Sequence, residues 1–285
     1  MHILLTGASG FLGRHITAAL NALGHTVRPV ARHHGHDLLR LQHPADWLPL
    51  LDGVDAAINA AGIIGEAGAQ TFQAIHTDAP KALFAACAQA GVGRVVQVSA
   101  LGADAQAFSA FHLSKRAADD ALRASALSWM VLRPSLVYGA GGASARLFMQ
   151  LARLPVIPVL EGGRQPVQPV HVSDVVAAVL ASLITPHARQ TVDVVGPDVM
   201  TLAEWLQAMR QAQGLPQAHL LTVPLAMARG AVALAGLFTP LARPDNLRML
   251  RTGYTARSEA LTTLLGRPPM PPTPERIRST LHRPS

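Results

Sequence analysis

The sequence predicts an α/β fold, a doubly wound parallel sheet with a small, mostly helical C-terminal lobe. Three observations carry this. Short, continuously apolar runs alternate with helical stretches over the first half of the chain, as strands covered on both faces by crossover helices do. The first apolar run passes directly into a glycine-spaced turn and a helix. After Pro134 the alternation gives way to Gly/Pro-rich connections and then to amphipathic helices.

The elements follow in order. "HILLT" (2–6) reads as a buried strand, and "GRHITAALNALG" (13–24) as a helix stopped by Gly24. "TVRPVA" (26–31) and "VDAAIN" (54–59) are the next strands, followed by a helix through "APKALFAACAQAG" (79–91). "RVVQVSA" (94–100), "HLSKRAADDALRAS" (112–125) and "SWMVLRP" (128–134) read as strand, helix and strand. "GAGG" (139–142) and residues 154–169 read as loops, and 171–184 as a helix with Ser173 as its N-cap. "TVDVVG" (191–196) is a strand. Thr201, with Glu204 three residues on, opens a helix over 201–214 with a capping box. "RPPMPPTP" (267–274) is a stiff connector before a last short helix. A core over 1–135 is therefore expected. The part 136–285 interleaves with it through 171–196 and forms a lobe mainly over 197–285.

Composition narrows the function classes. Apolar residues make up 49% of the 285 and charged residues 14%, a globular composition. Aromatic residues are only 4%, too few for base-stacking platforms. The net charge of +7 is carried by scattered arginines, with Lys81 and Lys115 as the two lysines and no basic run, so no nucleic-acid groove is expected. The single Cys87 excludes an internal disulfide framework and reads as a small buried hydrophobe. "MHILLTGASG" begins a strand at once, without a basic n-region or cleavage site, so a cytoplasmic protein is expected. The apolar stretch 223–242, interrupted by Pro224, Arg229 and Pro240, is too short to span a bilayer. It reads as a core helix under a substrate cleft, with a surface for a protein partner or for peripheral membrane attachment as the alternative.

Chemistry concentrates in the first turn. "TGASGFLGRH" (6–15) spaces Gly7, Gly10 and Gly13 as G-x-x-G-x-x-G between a strand and a helix. Glycines there permit the tight turn, the approach of backbone to a pyrophosphate and close helix–strand packing, and the helix amides then face negative charge. Thr6, Gly7, Ser9, Gly10, Phe11, Leu12, Gly13 and Arg14 are thus candidate dinucleotide contacts. An NAD site usually places an acid at the end of the second strand. Here "VRPVARHHGHDLL" (27–39) places Arg32 there, and Arg14 follows the last loop glycine. Guanidiniums without a carboxylate suit a 2′-phosphate, so NADP(H) is expected over NAD(H). Asp37 and Leu38 fall near the adenine. His33, His34 and His36 lack an accompanying Cys/Asp cluster, so no metal site is expected.

These residues resemble the short-chain dehydrogenase/reductase superfamily in its extended and atypical branches. "TGASGFLG" is similar to its cofactor loop, and "NAAG" (59–62) to the segment along the adenine side. "VSALGA" (98–103) resembles the strand end that carries the active-site serine. "RPSLVYG" (133–139) and "PVHVSDVV" (169–176) resemble signatures of extended members. The likeness covers roughly residues 1–215. Within the superfamily it is to the atypical group that contains the nucleotide-binding accessory subunit of respiratory complex I. The resemblance adds Ala60, Ala61, Gly62, Lys115, Pro134 and Val137 to the cofactor contacts. It also implies a serine that binds the substrate carbonyl, a tyrosine that moves its proton and a lysine four residues later that holds the ribose and lowers the tyrosine pKa. Ser99 and Lys115 match that pattern, but the tyrosine position is Phe111.

His112, beside Phe111, is a candidate substitute proton donor, against a plain helix-start histidine. Tyr138 and His171 read as structural. Two functions remain open. One is an NADP(H)-dependent oxidoreductase acting on a small apolar carbonyl or quinone-like acceptor, whose proton comes from water or the substrate side. The other is a nucleotide-binding scaffold that works through a surface, as an assembly factor or redox sensor for a respiratory complex.

Overall fold

The computed structural model describes residues 1–228, 230 and 244–279. Most of the apolar stretch 223–242 therefore lies outside the described residues. Among those described, no helix is long and apolar enough to cross a membrane.

Strands β1 (His2–Thr6), β2 (Thr26–Val30), β3 (Ala56–Asn59), β4 (Arg94–Val98), β5 (Trp129–Pro134) and β10 (Gln190–Val194) form one sheet in the order β10-β5-β4-β3-β1-β2. Every pairing is parallel. Side chains alternate across a strand, and the sequence fills both faces. Ile3, Leu5, Ile58, Val96 and Leu132 point to one core, shared with Ile16 of α1 (Phe11–Ala22) and Val175 and Val179 of α6 (Val172–Ile184). Leu4, Ala57, Val95 and Val131 point to the other. There they meet Trp47 of α2 (Pro44–Leu51), Leu83 and Phe84 of α3 (Ala79–Ala90), and Ala118 and Leu122 of α4 (Ala110–Arg123). This is the doubly wound parallel sheet that the continuous apolar runs predict.

A third core lies beyond β5. Short β6 (Val137–Tyr138) pairs with β9 (Val170–His171), and β8 (Pro166–Val167) with β11 (Met200–Thr201). Phe148 and Met149 of α5 (Ala143–Ala152) pack with Trp205, Leu206 and Met209 of α7 (Leu202–Ala212) and with Ile277 of α10 (Pro274–Ser279). Helix α8 (Pro244–Thr252) leans over the start of α4, with the Arg248 guanidinium 4.0 Å above the Phe108 ring. Helix α9 (Glu259–Leu265) packs on the α6 side through Leu261.

Several boundaries differ from the sequence reading. Residues 154–169 are not all loop, since β7 (Val156–Leu160) pairs in parallel with β12 (His219–Val223). Pro155 and Pro158 hide the strand signal, but a two-stranded ribbon tolerates proline at its edge. Helix α5 was not anticipated, because Gly142 caps it without a side chain. Ser173 is not the cap of α6. His171 is, accepting from the Ser173 amide at 3.3 Å through its own Nδ1. The capping box at Thr201 and Glu204 is as expected.

Candidate functional site

The chain runs from β1 out to β2 and then crosses back over β1 to β3, so a crevice opens between the carboxyl ends of β1 and β3. Ligands of open α/β sheets bind at such switch points. The crevice here has a volume of about 420 Å³. Of the expected contacts, Gly7, Ser9, Gly10, Phe11, Leu12, Arg32, Asp37, Leu38, Ala60, Ala61, Gly62, Ser99 and Lys115 line it.

The glycines build its floor. Gly7 has φ +67°, and a Cβ on it would lie 2.8 Å from the Ala60 carbonyl oxygen. A Cβ on Gly13 would fall 2.1 Å from the Gly7 oxygen. Only bare backbone lets the turn close and α1 start with its amides toward the crevice. Gly10 caps α1 with no side-chain hydrogen bond, leaving that helix start open to an anion. Loop, helix start and crevice together fit a dinucleotide.

Thr6, Gly13, Arg14, Pro134, Val137 and His112 do not line the crevice. Thr6 supports it from below, accepting from the Ala61 amide at 3.3 Å. Arg14 donates to the Ser9 carbonyl at 2.7 Å and braces the loop. Pro134 accepts from the Leu101 amide, and Val137 pairs with Val170. His112 turns away, with Nδ1 3.0 Å from Ser109 Oγ and 3.4 Å from the Tyr254 hydroxyl. The sequence reading missed Val30, Ala31, His36, Ile63, Ile64, Gln70, Ile75 and Val98, which also line the crevice. Most sit in or directly beside segments that reading had singled out.

The end of the crevice away from β2 is built on α4. Ser109 caps that helix, accepting from the His112 amide. Lys115 points inward and is 5% exposed. Its ammonium donates to the Ala61 carbonyl at 3.0 Å and the Val98 carbonyl at 3.2 Å, at the ends of β3 and β4. Burial pulls its pKa down to about 8, against a partial opposing pull from Asp119. Phe111, one turn earlier, lines the crevice with a ring that carries no hydroxyl.

The expected role of Ser99 meets a competing partner. Ser99 Oγ donates to Asp119 Oδ2 at 2.5 Å, so its proton is directed beneath the crevice rather than into it. Asp119 is fully buried, and burial raises it to about 6 despite Ser99, Arg123, Lys115 and Gln97. It escaped the sequence reading, although its place four residues after Lys115 puts both on one helix face.

His76 was missed as well. It lies on a π-helical turn (Gln73–Asp78) leading into α3. Its Nε2 accepts from the Ile63 amide at 2.9 Å, and its Nδ1 lies 3.0 Å from Ser114 Oγ. Ser114 in turn donates to the Phe111 carbonyl at 2.8 Å. The amide donor fixes the tautomer: Nδ1 carries the proton. Burial, with help from Lys115, keeps this imidazole's pKa well below the ordinary value. Phe72 stacks on His76, and Phe111 meets both edge-on.

A doubly wound sheet with a glycine cradle at its switch point defines a nucleotide-binding α/β protein. The chain belongs to the NAD dependent epimerase/dehydratase family, which it matches over residues 3–196. It is 34% identical over 196 residues to a ceramide reductase of Caulobacter vibrioides, covering 65% of this chain and 61% of that protein. It is 27% identical over 223 residues to the mitochondrial NADH dehydrogenase [ubiquinone] 1 alpha subcomplex subunit 9 of Arabidopsis thaliana, covering 71% of this chain and 56% of that one. The chain thus spans less than two thirds of the length of either relative. Two solved structures share its fold. MoeE5 in complex with UDP-glucuronic acid and NAD has TM-score 0.72 at 21% identity, over 99% of this chain and 97% of that one. UDP-glucuronic acid 4-epimerase from Bacillus cereus, with the same sugar nucleotide and NAD, has TM-score 0.72 at 15% identity, over 98% of each chain.

Proposed function

We propose that the protein is an NADP(H)-dependent reductase of an apolar, long-chain carbonyl compound, of the kind whose reduction yields a ceramide-like lipid. The observation that carries this reading is the buried Lys115 ammonium in the crevice wall beside Phe111. A charge held where burial costs so much marks a working position in the crevice wall. The likeness to a ceramide reductase supplies the substrate class, and the apolar side chains of Ile63, Ile64 and Phe111 along the crevice suit it.

The bound dinucleotide supplies hydride chemistry. The chain's own residues do the rest. Gly7, Gly10 and the start of α1 hold the pyrophosphate. Lys115 holds the ribose at Nζ and keeps a proton there at neutral pH. Phe111 excludes water and contributes no proton, so the product oxygen takes its proton from water or from the substrate side. The expected NADP(H) preference rests on Arg32 at the end of β2.

The test is titration of the purified protein with NADPH and NADH, followed by NADPH oxidation with long-chain ketones bearing an amide. Turnover that Lys115→Ala removes supports the reading. Absence of binding by either nucleotide sinks it.

A second reading, a nucleotide-binding scaffold for a respiratory complex, draws on Phe111 and on the likeness to the NADH dehydrogenase subunit. Release of bound NADPH over hours rather than seconds, with no turnover of any ketone, would favour it.

A further inference from the structure

Asp119 has no task in the reductase reading, yet it is a fully buried acid one turn after Lys115 on the inner face of α4. Among the described residues its carboxyl has one hydrogen-bond partner, Ser99, whose Oγ lies 2.5 Å from Asp119 Oδ2. Oδ1 has none. Ser99 is held in place by its amide, which donates to the Leu132 carbonyl at 2.7 Å, and it lines the crevice.

The surroundings of the carboxyl hold donors but no second acceptor. On α4, Lys115 gives its ammonium to the Ala61 and Val98 carbonyls, and Arg123 is engaged by Asp120 and Thr191. On β4, Gln97 accepts from Asn59 Nδ2 at 2.7 Å through its Oε1, which leaves its amide nitrogen toward Asp119 without a partner. On the π-helical turn beside α4, His76 Nε2 is taken by the Ile63 amide. Arg133 of β5 is paired with Asp193 of β10, and Lys81 of α3 is exposed. A proton carried by Asp119 therefore has one place to go, Ser99 Oγ. The contact can run in either direction. With the carboxylate ionised, Ser99 donates to it. With the carboxyl protonated, Asp119 donates, and the serine's own proton is freed toward the crevice.

We propose that Asp119 is the proton reservoir of the site and Ser99 its outlet, together supplying the proton that Phe111 cannot. This rests on the reductase reading and gives its water-derived proton a route. As hydride from the dinucleotide adds to the carbonyl carbon, the C–O π electrons become a lone pair on oxygen. That oxygen takes the Ser99 hydroxyl proton, and Ser99 Oγ takes the proton of Asp119, leaving a carboxylate. After product release, water in the crevice returns a proton to Asp119 through Ser99. Burial favours the reload, because it holds the carboxyl at about 6. Ser99 is the catalytic residue of this step, and Asp119 acts through it as a positioning residue.

The test uses the full-length protein with NADPH and a long-chain ketone bearing an amide. It measures kcat and KM between about pH 5 and 7.5 for the wild type, Asp119→Asn, Ser99→Ala and Ser99→Thr. Carbon NMR of the Asp119 carboxyl, without nucleotide or ketone, is a second readout. Wild-type kcat is expected to fall about tenfold per pH unit above the Asp119 value of about 6. Asp119→Asn is expected to lower kcat about 100-fold at low pH, to flatten the profile and to leave KM within about twofold. Ser99→Ala should match that loss in kcat, and Ser99→Thr, which keeps a hydroxyl, should recover most of it. The NMR titration should find the carboxyl protonated at pH 5. Wild-type kcat and pH profile in Asp119→Asn overturn the relay and leave the reductase reading standing. A carboxyl already ionised at pH 5 overturns it whatever the turnover, and decides the matter if Asp119→Asn does not fold. If the wild type binds NADPH and reduces no ketone, the reductase reading fails and the relay falls with it.

Discussion

Ser99 and Asp119 share a 2.5 Å hydrogen bond that joins the end of β4 to the buried face of α4. Asp119 Oδ1 has no hydrogen-bond partner among the described residues, so this carboxyl is poorly compensated for its burial. Its ordinary pKa of 3.8 rises to about 6.

The sign of the resulting pH effect follows. The folded chain holds this proton more tightly than the unfolded chain does. Stability from Asp119 is therefore greatest below about pH 4 and is lost as pH rises through about 6. The loss is about 3 kcal/mol. Asp119→Asn should lack this slope. Urea unfolding of both chains at pH 4.5 and pH 7 measures it, with the variant gaining on the wild type as pH rises. Parallel pH profiles would mean that Asp119 is ionised throughout.

His76 carries the opposite sign. Its pKa is lowered in the fold, so its contribution is present at pH values above the ordinary imidazole value of 6.5 and is lost as pH falls below it. Nitrogen NMR should find the Nδ1–H tautomer still neutral at pH 6. An imidazolium signature there would contradict the Ile63–His76–Ser114 chain of hydrogen bonds.

Gly13→Ala should damage the nucleotide site directly. Its Cβ would strike backbone at 2.1 Å, with no side chain able to yield. The expected cost is about 1–3 kcal/mol of stability and about tenfold or more in nucleotide affinity. Gly24→Ala is the control, because the space around its Cβ is open. It should lose about 1 kcal/mol from the positive φ and keep its nucleotide affinity. Equal affinities in the two variants would argue against the phosphate loop.

Phe111→Tyr should restore a proton donor one turn from Lys115. The ammonium would lower the new phenol toward working pH. NADPH oxidation with a long-chain ketone is expected to rise about 100-fold. No change in rate would show that proton transfer does not limit turnover.

Much of this was legible in the sequence. Parallel strands are apolar on both faces, so "HILLT" and "RVVQV" announce themselves, and the loop glycines carry the geometry of their turn. Lys115 stood out by its spacing from Phe111 and by the scarcity of lysine. The misses have physical causes. His76 reaches the site through a π-helical turn, which no 3.6-residue periodicity reveals. The direction of the Ser99 hydroxyl depends on Asp119, twenty residues away in sequence. Arg14 was assigned by proximity to the loop, but side-chain direction sent it to the Ser9 carbonyl. His36 was grouped with His33 and His34, and only the bend at Gly35 tells them apart.

The sixth strand carries a consequence for biosynthesis. Between β5 and β10 lie residues 135–189, the segment that leaves the sheet to build α5, β7 and α6. Until the ribosome has delivered Gln190–Val194, β5 has no neighbour on its outer side, and Arg133 lacks the carboxylate of Asp193 that it grips at 2.6 and 3.0 Å. A nascent chain therefore carries an unpaired apolar strand edge through more than fifty residues of synthesis, a template for association with other chains. Long-range parallel pairing of this kind also closes slowly. The parallel sheet thus cannot be completed before residues 135–194 have been made. Fragments ending near residue 135 should be recovered as aggregates, and chaperone demand should fall once translation passes β10.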